Sequence, residues 1–161
     1  MREPRFCARC GTALVAPADP THKPECPACG WFRPTEALPV VLVLARTDGG
    51  KILYTRQRGW PAGAWGLVAG YVELAETAEE AAVREVEEES GLVARSPQLV
   101  KTIDHDGRLL ICVEVAVDDR PPRAGSDVDE VLLVLPDPAF TPAGWPAREF
   151  IESRLQVGLS S

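Results

Sequence analysis

The residues with the most chemistry to offer are acidic and closely spaced. Glutamates stand at 85, 87, 88 and 89 in a segment whose apolar periodicity predicts a helix over 78–89. At about 100° per residue, Ala78, Ala82 and Val86 form a narrow stripe, the natural core face. Glu89 falls almost on that stripe, Glu85 lies close beside it and Glu88 comes next around. The cluster also crowds the last helical turns, where the helix dipole disfavours negative charge by roughly 0.3–1 kcal/mol apiece and like charges at i, i+4 add a smaller penalty. A solvated acidic face explains Glu79, Glu80 and Glu87 but leaves Glu85 and Glu89 unexplained. Three carboxylates at i, i+3 and i+4 converge on one patch, and a hard cation such as Mg²⁺ or Mn²⁺ takes oxygen ligands of that kind. Such an ion polarises a bound oxygen and acidifies a bound water.

A second set of ligands is made of sulfur. Cys7-x-x-Cys10 and Cys26-x-x-Cys29 are separated by fifteen residues, the spacing of a four-thiolate zinc site. Each pair forms a tight knuckle presenting two sulfurs to one tetrahedral ion, and Gly11 and Gly30 follow where the backbone must turn sharply. The competing arrangement, two disulfides, belongs to exported domains. Met1-Arg-Glu-Pro-Arg5 has no apolar stretch behind it to act as a secretory signal. Four cysteines leave no open coordination position, so zinc here would hold structure. The fifth cysteine, Cys112, lies in the apolar run 109–117 and is expected to be a small buried hydrophobe.

These ligands need a scaffold. A chain of 161 residues, 45% apolar and 25% charged, has room for one ordinary domain and a small appendage. The first thirty-odd residues are rich in cysteine and proline and cannot bury a core unaided. From Leu38 onward, strands are predicted at 40–45 and 51–55 around the turn Asp48-Gly49-Gly50, then at 66–69, 98–104, 109–117 and 130–135. Asp106-Gly107 marks the turn between the 98–104 and 109–117 strands. Thr77 and Glu80 are spaced as a capping box and Gly91 is placed to stop the acidic helix. A second, weaker helix follows Pro146 through Glu149, Phe150, Ile151 and Leu155. The stretch 120–127 reads as a loop. Strands mixed with two helices predict an α/β sandwich.

The bulk properties narrow the partners. The longest apolar run, 40–45, is far short of the roughly 20 residues needed to cross a bilayer, so no membrane span is expected and the cytoplasm is the expected compartment. A net charge of −7 argues against the broad phosphate-tracking surface of a nucleic-acid binder. A small phosphate compound is still reachable through cations bridging it to the carboxylates.

The stretch Gly70 to Leu92, with Glu76, Arg84, Glu85, Val86, Glu88, Glu89 and Gly91 at fixed spacings between them, resembles the Nudix box, G-x5-E-x7-R-E-U-x-E-E-x-G-U with U aliphatic. The resemblance implies a Nudix α/β/α sandwich with a mixed sheet over 37–161, preceded by a small zinc ribbon over 1–36. It implies that Glu85, Glu88 and Glu89 ligate Mg²⁺ or Mn²⁺, helped by the Gly70 carbonyl, and that Arg84 and Glu76 form the ion pair holding loop to helix. Glu130 stands where many relatives have a further acidic residue near the metals. The implied reaction is hydrolysis of a nucleoside diphosphate linked to another moiety, giving two monophosphates. Glu73, Glu88 and Glu130 are the candidates for the base that takes the water's proton.

Within that family the chain is similar to the NADH pyrophosphatase subgroup. That subgroup joins a four-cysteine ribbon to a Nudix domain through a short aromatic and proline linker, like Trp31-Phe-Arg-Pro34, and carries an Ala-Gly-Phe-Val-Glu turn like Ala69-Gly-Tyr-Val-Glu73. It departs after the box, where Lys101-Thr-Ile-Asp-His-Asp-Gly-Arg108 replaces the subgroup's Ser-Gln-Pro-Trp-Pro-Phe-Pro. No strong preference for NADH over ADP-ribose is therefore expected, and the Trp-Pro pairs at 60–61 and 145–146 are misplaced in the chain to substitute. Trp60, Trp65 and Tyr71 are candidates for stacking on a base, with Trp65 better read as a packing residue. His105 reads as a turn residue. The alternative function is a non-catalytic nucleotide-binding sensor or regulator that uses the ribbon for macromolecular contact. The complete carboxylate set, which binding alone does not need, favours an enzyme. A homodimer is compatible with the sequence but not specified by it.

Overall fold

A computed structural model describes residues 5–15, 25–31, 37–137 and 139–157. The chain divides into two compact units, Met1–Ala37 and Leu38–Ser161. Linker residues 32–34 lie outside the described residues. In the first unit two turns repeat one hydrogen-bond pattern. The Cys7 N–H donates to Thr12 O at 2.7 Å and Gly11 N–H to Cys7 O at 2.9 Å; the Cys26 N–H donates to Trp31 O at 2.7 Å and Gly30 N–H to Cys26 O at 2.9 Å. Gly11 and Gly30 take φ of 75° and 66°, the left-handed region that glycine enters without a Cβ penalty.

The second unit runs β1 (Leu38–Arg46), β2 (Ile52–Gln57), β3 (Val68–Tyr71), α1 (Ala78–Ser90), β4 (Ala94–His105), β5 (Arg108–Val117), β6 (Val128–Val134) and α2 (Pro146–Val157). The strands make one sheet in the order β4-β5-β1-β2-β6, with β3 paired to β1 off that path. β1 and β5 are parallel and the remaining pairs antiparallel, so the sheet is mixed.

β1 shows why the layers form. Its apolar run lacks alternation because both its faces are covered. Val41, Val43 and Ala45 join one core cluster with Ala81, Ala82 and Val86 of α1, while Val40, Leu42 and Leu44 join a second with Phe150 and Ile151 of α2. Helix, sheet and helix therefore stack as the expected α/β/α sandwich. Among the described residues no helix is long and apolar enough to cross a membrane.

Two strands differ from the sequence expectation. β4 is longer than 98–104, because register shifts between Arg95/Gln98 and Leu99/Lys101 let one strand carry Pro97 and a Ser96 at φ 52°. Bulges of this kind absorb residues that break a regular ladder. The strand expected at 66–69 is divided: Gly66 bridges Thr55, and only from Val68 does the chain pair with β1. β2 meets β1 at Arg46↔Ile52, and β3 takes over that edge at Val40 to Val43. The edge is thus shared by two strands, and the site is built where they part.

Candidate active site

Both ends of α1 are tied down. The Thr77 hydroxyl accepts from Glu80 N–H at 3.2 Å while the Glu80 carboxylate accepts from Thr77 N–H at 2.8 Å, satisfying two backbone donors reciprocally. Gly91 ends the helix at φ 66°, and no basic side chain lies in the last turn. The carbonyls there are met by the 120–127 loop instead. Arg123 N–H donates to Ser90 O at 2.8 Å and Gly125 N–H to Glu89 O at 3.0 Å, and the Arg120 guanidinium donates to Gly91 O at 2.9 Å. Position 125 must be glycine, since a Cβ there would stand 1.9 Å from the Glu88 carbonyl oxygen.

As Ala81, Ala82 and Val86 turn to the core, they carry Glu89 with them to 4% exposure. Its Oε1 accepts from Gln57 Nε2 at 2.8 Å, whereas its Oε2 is buried without a hydrogen-bond partner. Burial pushes its pKa up to about 7, with the Gln57 bond opposing and the charge of Glu85 adding. Glu85 is half-buried; desolvation raises its pKa too, against the Arg84 hydrogen bond. Gly70 lies directly against it, for a Cβ at Gly70 would come 1.9 Å from the Glu85 carboxyl carbon. Glu88 is the most open of the three, its side chain 58% exposed.

Arg84 is the hub of the patch. Its Nε–H and Nη2–H donate to the two Glu76 oxygens at 2.8 and 3.0 Å, and Nη2 also donates to Tyr71 O at 3.0 Å. Its Nη1 donates to Glu85 at 2.7 Å and Glu88 at 3.1 Å. The bidentate bond from Arg84, then a hydrogen bond from Glu73 N–H, holds the Glu76 carboxyl below its ordinary range. One guanidinium thus staples the segment after β3 to α1 and neutralises two of the acidic cluster. The donor set suits a hard divalent cation, since all the donors are oxygen, Glu89 Oε2 is buried and unsatisfied, and Glu85 is pressed against a backbone that has no side chain. With Arg84 and Gln57 holding the carboxylates, Glu85, Glu88 and Glu89 do not bring one oxygen each within 4.8 Å of one another.

Gly70, Glu73, Arg84, Glu85, Glu88 and Glu89 line one cleft of about 960 Å³, a volume suited to a nucleotide-sized ligand. Glu130 is not among the residues that line it. Its carboxylate accepts from Arg56 at 2.8 Å across the β2–β6 pair, and Asp127 lines the cleft in its stead. Asp127 was missed because it ends the 120–127 stretch, just before β6 begins at Val128, and the sequence marks that stretch only as a loop. Gln57, the partner of Glu89, carries no local signal at all. Trp65 is buried in the core beneath α2, while Tyr71 is half exposed on the cleft wall. His105 closes the β4–β5 hairpin, where Asp106 and Gly107 have φ of 49° and 70°, and it lines the cleft as well. Cys112 is fully buried, and desolvation pushes its thiol up to about 11. Trp60 and Trp145, distant in sequence, meet with ring centroids 4.6 Å apart.

In the first unit, Cys7 Sγ lies 3.7 Å from Cys29 Sγ, and Cys10 Sγ lies 3.6 Å from Cys26 Sγ. These separations are too long for disulfides, whose sulfurs lie about 2.05 Å apart. They match the edge, roughly 3.8 Å, of a tetrahedron with zinc–sulfur distances of about 2.3 Å. A hydrogen bond with the Thr12 side chain, aided by its backbone, holds Cys10 down to about 6. A backbone bond at Trp31 favours the Cys29 thiolate, but burial and the other sulfurs together push that thiol up to about 12. Among the described residues these four form the one Cys, His, Asp or Glu group whose ligand atoms all lie within 4.8 Å of one another.

Comparison with known proteins places this geometry. A NUDIX domain model matches residues 35–153. The NAD-capped RNA hydrolase NudC of Pseudomonas aeruginosa is 37% identical over 91 residues, which are 56% of this chain and 32% of that protein. The protein of the same name from Photobacterium profundum is 33% identical over 157 residues, 94% of this chain and 58% of its own length. This chain therefore spans less than two thirds of each. Among solved structures, a NUDIX hydrolase from Nitrosomonas europaea superposes with TM-score 0.76 at 19% identity, covering 95% of this chain and 91% of that one. The NUDIX domain of Shewanella oneidensis NrtR, complexed with ADP ribose, superposes with TM-score 0.62 at 21% identity, covering 74% and 88%. These two likenesses establish the shared fold. With the family model matched over residues 35–153, the sandwich in place and the loop-helix element intact between Gly70 and Leu92, this chain belongs to the Nudix family.

Proposed function

We propose that the chain hydrolyses the diphosphate linkage of a nucleoside diphosphate joined to a second moiety, NADH, ADP-ribose or a similar compound, and releases two monophosphates. The observation that best supports this is the buried Glu89 carboxylate, with one oxygen unsatisfied, beside Glu85 on the wall of a cleft of about 960 Å³. The NAD-capped RNA hydrolases among its relatives support the same substrate class. An RNA ending in NAD belongs to that class, which tempers the expectation from net charge that nucleic acid is no partner.

Mg²⁺ or Mn²⁺ held by Glu85, Glu88 and Glu89, with the Gly70 carbonyl, would supply charge neutralisation at the phosphates and a more acidic water. The side chains do the rest. Arg84 and Glu76 keep the segment after β3 in register with α1, so that Gly70 and Glu85 hold their relative position. Glu73 or Glu88, both on the cleft wall, removes the proton from the attacking water. Arg108, also on that wall and without an ion pair among the described residues, offers its guanidinium to a phosphate oxygen. In the first unit, Cys7, Cys10, Cys26 and Cys29 would hold Zn²⁺ and make 1–36 a ribbon preceding a Nudix domain at 37–161. A purely binding sensor has no need of so complete a carboxylate set.

The test is direct assay of the full chain with Mg²⁺ against ADP-ribose, NADH and an NAD-capped RNA. Two monophosphates and no inorganic phosphate are expected, and hydrolysis in heavy-oxygen water is expected to label one of the phosphates. Primary release of inorganic phosphate or free nicotinamide would overturn the mechanism.

A further inference from the structure

Trp60 and Trp145 meet in a T-shaped contact, their centroids 4.6 Å apart and their planes at 74°. Both line the cleft that holds the acidic patch. Neither belongs to nor packs against the two core clusters of the sandwich, and both rings stay partly exposed. Trp65 shows the contrast, because folding has buried it to 7% exposure. A pair of indoles left out of both cores and facing a cleft is a large aromatic surface that folding alone does not use.

The pair is also held in place. Trp60 N–H donates to Gln57 O at 3.1 Å, and Trp145 O accepts from Glu149 N–H at 3.2 Å in the first turn of α2. Gly66 makes room for the first ring, since a Cβ there would approach two Trp60 ring carbons to 2.8 and 2.9 Å. Gln57 connects the pair to the chemistry: its carbonyl receives Trp60 N–H, and its side chain holds Glu89 at 2.8 Å. One residue at the end of β2 therefore bonds both the Trp60 main chain and the Glu89 carboxylate. Rings fixed before binding lose little freedom on contact with a ligand.

We propose that Trp60 and Trp145 form a stacking subsite for a planar heteroaromatic ring of the substrate, purine or nicotinamide. This rests on the hydrolase reading for its substrate class but not for its test. The subsite is supplied by residues before and after the Nudix box rather than by the hairpin at Lys101 to Arg108.

The test is intrinsic tryptophan fluorescence of the full chain in Mg²⁺, titrated with AMP, nicotinamide mononucleotide and ribose 5-phosphate. Quenching is expected with at least one of the two ring-bearing monophosphates and not with ribose 5-phosphate, and the ring whose titration has the lower midpoint is the preferred one. Trp145→Leu and Trp60→Leu are each expected to weaken that binding roughly ten- to a hundredfold, the scale of base–aromatic stacking, and Trp145→Phe to retain most of it. In turnover of ADP-ribose the loss is expected in KM rather than kcat. Equal binding of all three ligands by the wild type overturns the subsite even if a leucine variant fails to fold, as does unchanged affinity in folded leucine variants. Ring-dependent quenching without any hydrolysis would leave the subsite standing and remove the hydrolase reading. A concentration-dependent dimer broken by Trp145→Leu, with no ring dependence, would make the pair an interface between copies and overturn the proposal.

Discussion

At the two knuckles, four sulfurs lie within 4.8 Å of one another, whereas along α1 each carboxylate has been given another partner. Glu85 and Glu88 rest on Arg84, and one oxygen of Glu89 rests on Gln57. The difference is one of commitment. Thiols gathered by the chain have few strong alternatives to a thiophilic cation, so an ion bound there would become part of the fold. Carboxylates that can return to Arg84 or Gln57 would release a hard cation at modest cost, which suits the proposed turnover of phosphates.

The largest effect is expected at the cysteines. Structural zinc contributes about 10–16 kcal/mol of apparent folding energy in small zinc-finger peptides, so Cys26→Ser is expected to abolish zinc binding and the order of the first unit. Metal analysis of the wild type should find about one equivalent of zinc. Brief chelation should leave it in place while removing the ions at α1, and added Mg²⁺ or Mn²⁺ should then restore turnover. Zinc-free protein as purified, or two disulfides by thiol titration, would remove the ribbon.

Next in size are the glutamates. Glu88→Gln and Glu89→Gln, made separately, are each expected to remove several kcal/mol of transition-state stabilisation, a fall on the order of a thousandfold in turnover. The fold should persist, because negative charge is being removed from a helix C-terminus. A near-normal rate in saturating Mg²⁺ for either variant would take that residue out of the ligand set.

A third effect sharpens the contrast through pH. In protein freed of Mg²⁺, Glu89 titrates at about 7 instead of the ordinary 4.5, chiefly because it is buried. A carboxyl whose folded pKa is raised favours the folded state while protonated. That contribution is fully present below 4.5 and is lost as pH rises through about 7. The loss is on the order of 3 kcal/mol by pH 8. Chemical denaturation at several pH values should show wild type falling relative to Glu89→Gln across this window, with Mg²⁺ restoring most of the difference at the alkaline end. Parallel stability curves for the two proteins would mean that Glu89 is not a buried, unsatisfied acid.

Much of this was legible in the sequence, for identifiable reasons. The knuckles and the box are local: their spacings set their geometry, and the Thr77–Glu80 cap and Gly91 stop could be read from neighbouring residues. β1 announced burial on both faces by its unbroken apolar run. What could not be read depends on segments far apart in the chain. Gln57 reaches Glu89 because β3 displaces β2 from the edge of β1. The 120–127 stretch looks like an ordinary loop until its backbone donors meet the last carbonyls of α1. Trp60 and Trp145 looked misplaced in sequence, and the fold brings them together.

The smallest effect is expected at Glu130, where family position and geometry point in different directions. Its side chain is 56% exposed and paired with Arg56, which is also held by Asp129 at 3.1 Å. With the Glu130 end of the pair open to solvent and Arg56 keeping Asp129 as a partner, the bond contributes about 0–1 kcal/mol, so Glu130→Gln should change turnover by less than about fivefold and stability by a similarly small amount. Asp127→Asn removes a charge from the cleft wall itself and should cost more activity than Glu130→Gln. Both variants keep the volume and polarity of the original side chain, so a difference between them reports charge near the reacting phosphates rather than packing. Should Glu130→Gln prove the more damaging, the 120–127 loop must let go of the α1 carbonyls when substrate binds and bring the start of β6 toward the cleft. Loss of hydrogen-exchange protection at Arg123 and Gly125 on adding Mg²⁺ and a non-hydrolysable nucleotide would then accompany it, and unchanged protection there would confine the role of Glu130 to its bond with Arg56.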